Sequence, residues 1–215
     1  RATPGRLPRN PAEKTVQSDP ETQHKPPASP MEQARIPVLP EPRPAEEGWH
    51  TDMAGVVILH PFLPHFFKNR ELINPGGQDF RDEWCRQKAV HLLHYLVHGR
   101  LNPAEHQLAL AKLLCGVAAG QPVDCVSMLE PADKTEADAL LEAVVGHWPV
   151  LGKTSPDGLR EGFLIRDGKL SRAAAGWRLE VERKTIDILL EKLDWSLGVV
   201  KTPWMNEMLF VDWAK

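Results

Sequence analysis

Three histidines, His91, His94 and His98, stand at spacings i, i+3 and i+7 within a stretch of helical periodicity. At 100° per residue they share one face, and imidazole is the commonest side-chain metal ligand. The outer two lie about 10 Å apart along the axis at 1.5 Å per residue, too far to hold one ion with both backbones fixed. A zinc site requires three or four ligands, and Cys85 falls on the opposite side of the helix. Leu92, Leu93, Leu96 and Val97 define the apolar side, so the histidine row is expected to face solvent or a partner. The stretch from Gly146 to Thr154 ends in Gly152-Lys153-Thr154 and invites comparison with a phosphate-binding loop. Five residues separate its glycines instead of four, and a helical pattern precedes it where that motif requires a strand. Pro149 also removes one of the N–H donors that would cradle a phosphate.

Nucleophile candidates are equally bland. Ser155 lacks the N-terminal glycine of a nucleophile elbow and is expected to cap a turn or the short helix reaching Leu159. Cys115 precedes a helix-ending glycine and reads as buried, with nothing to activate its thiol. Glu180 and Glu182 share a strand face and read as solvated. No constellation assembles an active site, so neither catalysis nor any cofactor or metal is expected. The alternative is a small metal- or nucleotide-dependent enzyme using the histidine row or Gly152-Lys153-Thr154.

The elements that must position these groups divide unevenly along 215 residues of net charge −3. That balance gives no electrostatic ground for nucleic-acid binding. No apolar run approaches the 18 residues of a membrane span. Cys85, Cys115 and Cys125 form no CxxC pair, which favours reduced thiols in a cytosolic fold. The chain starts without Met or an apolar leader and reads as a piece of something longer. Eleven of the twenty prolines fall in residues 1–47, a segment expected to be a disordered Pro-rich linker reaching at most ~3.1 Å per residue. Residues 48–215 are apolar enough for one core.

Helical spacing marks 81–97, closed by Gly99, and 131–148, opened by Pro131. Asn102-Pro103-Ala104-Glu105 reads as an N-cap, a proline at the first position and a glutamate at the third. Pro61 and Pro64 limit 60–67 to short helical turns. Asp167-Gly168 between apolar arms predicts a hairpin turn, and Trp177, Leu179 and Val181 alternate as a half-buried strand should. Ile186, Leu189, Leu190 and Leu193 return to helical spacing, and Leu209, Val211 and Trp213 alternate again. The expected fold is α+β: a helical first half, then a small, mostly antiparallel sheet with one packed helix.

Seven tryptophans stand against one tyrosine, and three of them crowd the last twenty-one residues. They read as core beneath a small sheet or, at Trp204-Met205, as an interface. Several strings taken in order carry a further signal: Leu59-His60-Pro61-Phe62-Leu63-Pro64, His91-Leu92-Leu93 with Tyr95-Leu96, and Leu113-Leu114-Cys115-Gly116. They continue with His147-Trp148-Pro149, Thr154 to Glu161, Trp195-Ser196, Pro203-Trp204-Met205 and Val211-Asp212-Trp213. In this order they resemble the C-terminal region of tape measure proteins of contractile injection systems, phage-tail-like particles. The likeness covers 48–215 and leaves out 1–47. It implies a non-enzymatic anchor domain docking at the baseplate, with inner tube, hub and spike proteins as partners and several copies per particle. It also implies assembly in the bacterial cytoplasm, a place inside the inner tube, and an extracellular location after release. Partner contacts are expected at Trp204, Met205, Trp213, His60 and Phe62.

Overall fold

The computed structural model describes residues 48–124 and 128–213. The linker expected over 1–47, and Cys125, lie outside them. The chain enters through β1 (Trp49–Thr51) and runs into a 3-10 segment, Ala54–Leu59, whose six residues are all buried. This run shows no polar alternation because it is enclosed on every side. At Gly55 a β-carbon would stand 1.8 Å from the Phe163 carbonyl oxygen, so only glycine fits. Helix α1 (Leu63–Asn69) follows, with Pro64 in its first turn, where a missing N–H costs nothing.

Helix α2 (Glu83–His98) is the axis of the helical half. The Asp82 side chain accepts from the Cys85 N–H at 2.7 Å to open it, and Gly99 at φ +63° closes it. Helix α3 (Ala109–Leu114) starts later than the sequence suggests. Asn102 sits at φ +58° as a turn residue, a conformation asparagine tolerates, and a 3-10 turn at Glu105–Leu108 intervenes. There Gln107 Oε1 accepts from the Ala104 N–H at 3.0 Å, taking the capping role foreseen for Asn102. Helix α4 (Pro131–Gly146) opens at Pro131 as expected, and α5 (Pro156–Leu159) is capped by Ser155 Oγ, which accepts from the Gly158 N–H at 3.1 Å.

The second half contributes β2 (Gly168–Ala173), β3 (Gly176–Val181), β4 (Val199–Val200) and β5 (Met208–Asp212). The order is β1-β2-β3-β5-β4, antiparallel throughout except for the parallel pair β3 and β5. The α+β class and the mostly antiparallel sheet are as the sequence implies. The hairpin turn, however, lies at Ala174-Ala175 and not at Asp167-Gly168, because Ala173 pairs with Gly176. Gly168 serves close packing instead: a β-carbon there would meet Ala54 Cβ at 2.7 Å and the Glu180 carbonyl at 2.9 Å. The helix foreseen around Ile186 is a 3-10 run, Thr185–Lys192, which buries Leu190 and leaves Ile186 and Ile188 exposed.

The aromatic side chains knit the two halves together. Trp204 packs on Phe67 and Phe80 at ring distances of 5.5 and 5.1 Å, and Trp148 on Phe163 at 4.7 Å. Gly55→Ala is expected to destabilise the fold by about 1–3 kcal/mol or more through overpacking, read as a lowered urea midpoint. Gly146→Ala, on an exposed helical position with open space around it, is expected to be neutral or stabilising by up to about 1 kcal/mol.

Candidate functional site

Helix α2 is enclosed on almost every face, and this overturns the expectation for the histidine row. His91 and His94 are buried, and His98 is nearly so. The Leu92–Val97 side was read correctly as apolar, but α3, α4 and the segments Ala54–Leu59 and Arg160–Leu164 pack around the helix. His91 Nε2 lies 2.6 Å from the Asp124 carbonyl, while the His94 and His98 rings stack at 4.5 Å. Burial, reinforced by His98, lowers the His94 pKa to about 4, and burial also lowers that of His98. Among the described residues no three His, Cys, Asp or Glu side chains are grouped as a metal would require.

Charged side chains that periodicity could not flag form the polar skeleton. Asp133 of α4 is fully buried, with Arg70 Nε at 2.7 Å and Lys88 Nζ at 2.8 Å. Burial pushes its carboxyl up, but the bonds from Lys88, the Glu130 N–H and Arg70 outweigh this and hold it below the usual value. Arg160 donates to the Leu96 carbonyl at 3.1 Å and to Asp138 and Asp157 at 2.7 Å each, tying α2 to α4 and α5. Arg166 pairs with Asp187 at 3.0 Å and lies over the Trp213 ring at 5.5 Å. Lys112, buried in α3, is held by Glu105 and by the Gln121 carbonyl. Sequence reasoning missed all of these, since a charge on a helix reads as solvent-facing until its partner is known.

The residues foreseen as partner contacts divide into two groups. Trp204, Met205 and Trp213 are core, at 4, 4 and 6 % exposure. Trp204 Nε1 donates to the Leu114 carbonyl at 2.8 Å, and Trp213 Nε1 to Asp187 at 3.1 Å. Trp204 and Trp213 therefore serve packing and offer almost no surface, while Trp84 and Trp49 stay exposed. His60 and Phe62 are half-buried. Phe62 meets Trp195 edge-on at 5.3 Å and borders a groove of about 200 Å³ between α1 and α4. A larger cleft, about 780 Å³, lies beside β5 and is bordered by Arg178, Lys184, Ile188, Trp195 and Phe210.

The chemistry-bearing candidates are quiet. Burial raises the Cys115 thiol well above its ordinary value. Gly152 and Lys153 are exposed in the turn after a 3-10 segment, and Thr154 Oγ1 donates to the Leu151 carbonyl at 2.6 Å, as in a helix exit. Glu180 and Glu182 stay exposed in ion pairs with Arg178 and Lys184.

A model of the contractile injection system tape measure proteins matches residues 4–213. The chain belongs to that family. The match takes in almost the whole chain, including the Pro-rich stretch that the sequence resemblance left out. No curated protein and no solved structure matches the chain. The tape measure family is a structural one and not a class of enzyme. No helix among the described residues is long and apolar enough to cross a membrane.

Asp133→Ala in this tape measure protein leaves Arg70 and Lys88 without their shared counter-charge. The expected loss is about 3–5 kcal/mol of unfolding free energy by urea titration. Asp212→Ala, which breaks an Arg178 pair about half exposed on both sides, is expected to cost at most about 1 kcal/mol.

Proposed function

We propose that residues 48–215 form the anchoring head of the tape measure chain, docking at the baseplate end of the inner tube, and that residues 1–47 belong to its length-setting part. The observation that carries the reading is the contrast within one family match. A Pro-rich stretch with few large apolar groups adjoins a sequence that closes a complete core. A chain held extended sets length at up to ~3.3–3.6 Å per residue. A folded domain of this size has a radius of gyration near ~15 Å, which grows only slowly with residue number, so it spans little length per residue and is suited to grip.

The partners that fit this role are the inner tube, hub and spike proteins. Several copies of the chain would lie together, because closed particles are built on symmetry. Phe62, which borders the α1–α4 groove, and the half-buried His60 near it in sequence are the contact points offered to such partners. Trp204, Met205 and Trp213 would support that surface from within. Assembly in the bacterial cytoplasm, residence in the tube and release with the particle follow from the same role.

Particle imaging tests the division of labour. Removing ten residues from within 1–47 is expected to give assembled particles shorter by at most ~33–36 Å. Trp204→Ala, a truncation costing about 3–5 kcal/mol in the core, is expected to abolish particle formation because the ruler loses its fixed end. Normal yield of uniformly shortened particles from Trp204→Ala would place the domain within the ruler and overturn the anchor reading.

A further inference from the structure

Three polar atoms meet where the C-terminal end of α2 approaches the β1 junction. His94 Nδ1 and His98 Nε2 of α2 and Asp52 Oδ1 of the junction are all buried without a well-aligned hydrogen bond. His98 Nε2 and Asp52 Oδ1 lie 3.4 Å apart, close enough for an ion pair should the ring take up a proton. The His94 and His98 rings are in tilted contact, 4.5 Å between centroids and inclined by 34°. Asp52 is also the hinge of the entry segment. Its main-chain carbonyl accepts from the Arg166 N–H at 2.9 Å, and Ala54 donates back to the Arg166 carbonyl at 2.9 Å. The stack therefore presses on the short link between β1 and the buried 3-10 segment.

We propose that His94, His98 and Asp52 form a proton-operated latch that fastens the β1 junction to the end of α2 while both imidazoles are neutral and loosens it when they are charged. Two adjacent cationic rings repel each other, and burial makes charging either of them costly. Around them, His91 and Arg100 add to the opposition, and the Asp52 carboxylate and the Arg100 main chain favour the charged forms. Gln107, the other neighbour of Asp52, is uncharged. Burial wins this competition, since the pKa of each ring falls below its ordinary value of 6.5. The closed form therefore binds fewer protons than the open one. Its advantage is complete above about pH 6.5 and shrinks as the pH falls toward the closed-state value of about 4 for His94. Because β1 is where residues 1–47 join the fold, the latch sets how firmly that stretch is tied to the domain. It stands whether or not the domain is the anchor of a ruler.

Amide hydrogen exchange of the full chain, corrected for intrinsic rates, tests the latch between pH 7 and pH 4.5. Amides of residues 51–59 and 94–99 and that of Arg166 are expected to lose at least tenfold in protection relative to those of α4. His94→Phe keeps a stacked ring that cannot be protonated and is expected to abolish most of that local loss. Asp52→Asn is expected to move the loosening to higher pH, because the carboxylate is what favours the charged rings. Should either variant fail to fold, the imidazole NMR titration of the unaltered protein decides. A His94 ring that titrates at pH 6 or above in the folded state overturns the proposal. So does an acid loss of protection that is uniform across the domain.

Discussion

A helix enclosed on almost every face must find partners for most of the polar side chains it carries, and α2 is such a helix. Lys88, His91 and His94 are buried along it together with the leucines, so the neighbours are chosen by what those groups require. Asp133 of α4 answers Lys88 and brings Arg70 from the end of α1 with it. The Asp124 carbonyl answers His91. At the C-terminal end Arg160 caps the Leu96 carbonyl and recruits Asp138 and Asp157. These contacts fix where α1, α4 and α5 lie, and the apolar side chains then fill the remaining space. Buried pairs of this kind add little net stability over an apolar alternative, but they penalise any mispacked arrangement that leaves one charge alone.

The sheet is attached by a different device. Where α3 ends, its terminal carbonyls are taken by side chains from outside the helix. Trp204 Nε1 donates to the Leu114 carbonyl, and Arg86 Nη1 to that of Cys115 at 2.9 Å. Gly116 turns the chain at φ +71°, where a β-carbon would stand only 2.4 Å from the Trp204 carbonyl oxygen. One tryptophan thus closes a helix end and fills the aromatic cluster with Phe67 and Phe80. On the other side of the molecule Trp195 donates to the Ile58 carbonyl at 3.0 Å and Trp148 to that of Leu189 at 3.2 Å. Indole suits these places because it covers a large apolar area and still satisfies one buried acceptor.

Periodicity made the long elements legible. The stripes of α2 and α4, the Gly99 stop, the Pro131 start and the Ser155 cap stand where spacing and capping chemistry put them. What spacing could not show was the second side of α2, since a row of three histidines looks solvated until the elements that cover it are in place. The Asp167-Gly168 turn failed for a related reason. Glycine there answers the approach of Ala54 and the Glu180 carbonyl, which is tertiary, and the tight turn falls two alanines before Gly176, at φ +140°. Trp204 and Trp213 were legible as core beneath a small sheet, but core and partner contact could not be told apart there, because composition carries no information about which face of a strand or loop a ring occupies. The family strings, by contrast, registered the combination of these positions without needing their geometry.

The entry of the chain into the fold shows how little of its hold comes from the sheet. β1 contributes three residues paired to β2, and Trp49 and His50 remain exposed. Directly behind it, Met53 to Leu59 are fully buried, and each large apolar side chain among them is worth about 1.5–3 kcal/mol against exposure. If the domain anchors a chain under tension as proposed, the pull arrives through Asp52 at this plug before it reaches the helices. Three paired residues alone resist little, whereas withdrawing the plug would open the core at Gly55 and Phe163. The junction between Thr51 and Met53 is therefore the narrow point of the load path, and it is also where His94 and His98 stack beneath Asp52. A segment that must be gripped in one state and released in another would be controlled most economically there, because loosening it requires no change in the buried ion pairs that hold the rest of the domain together.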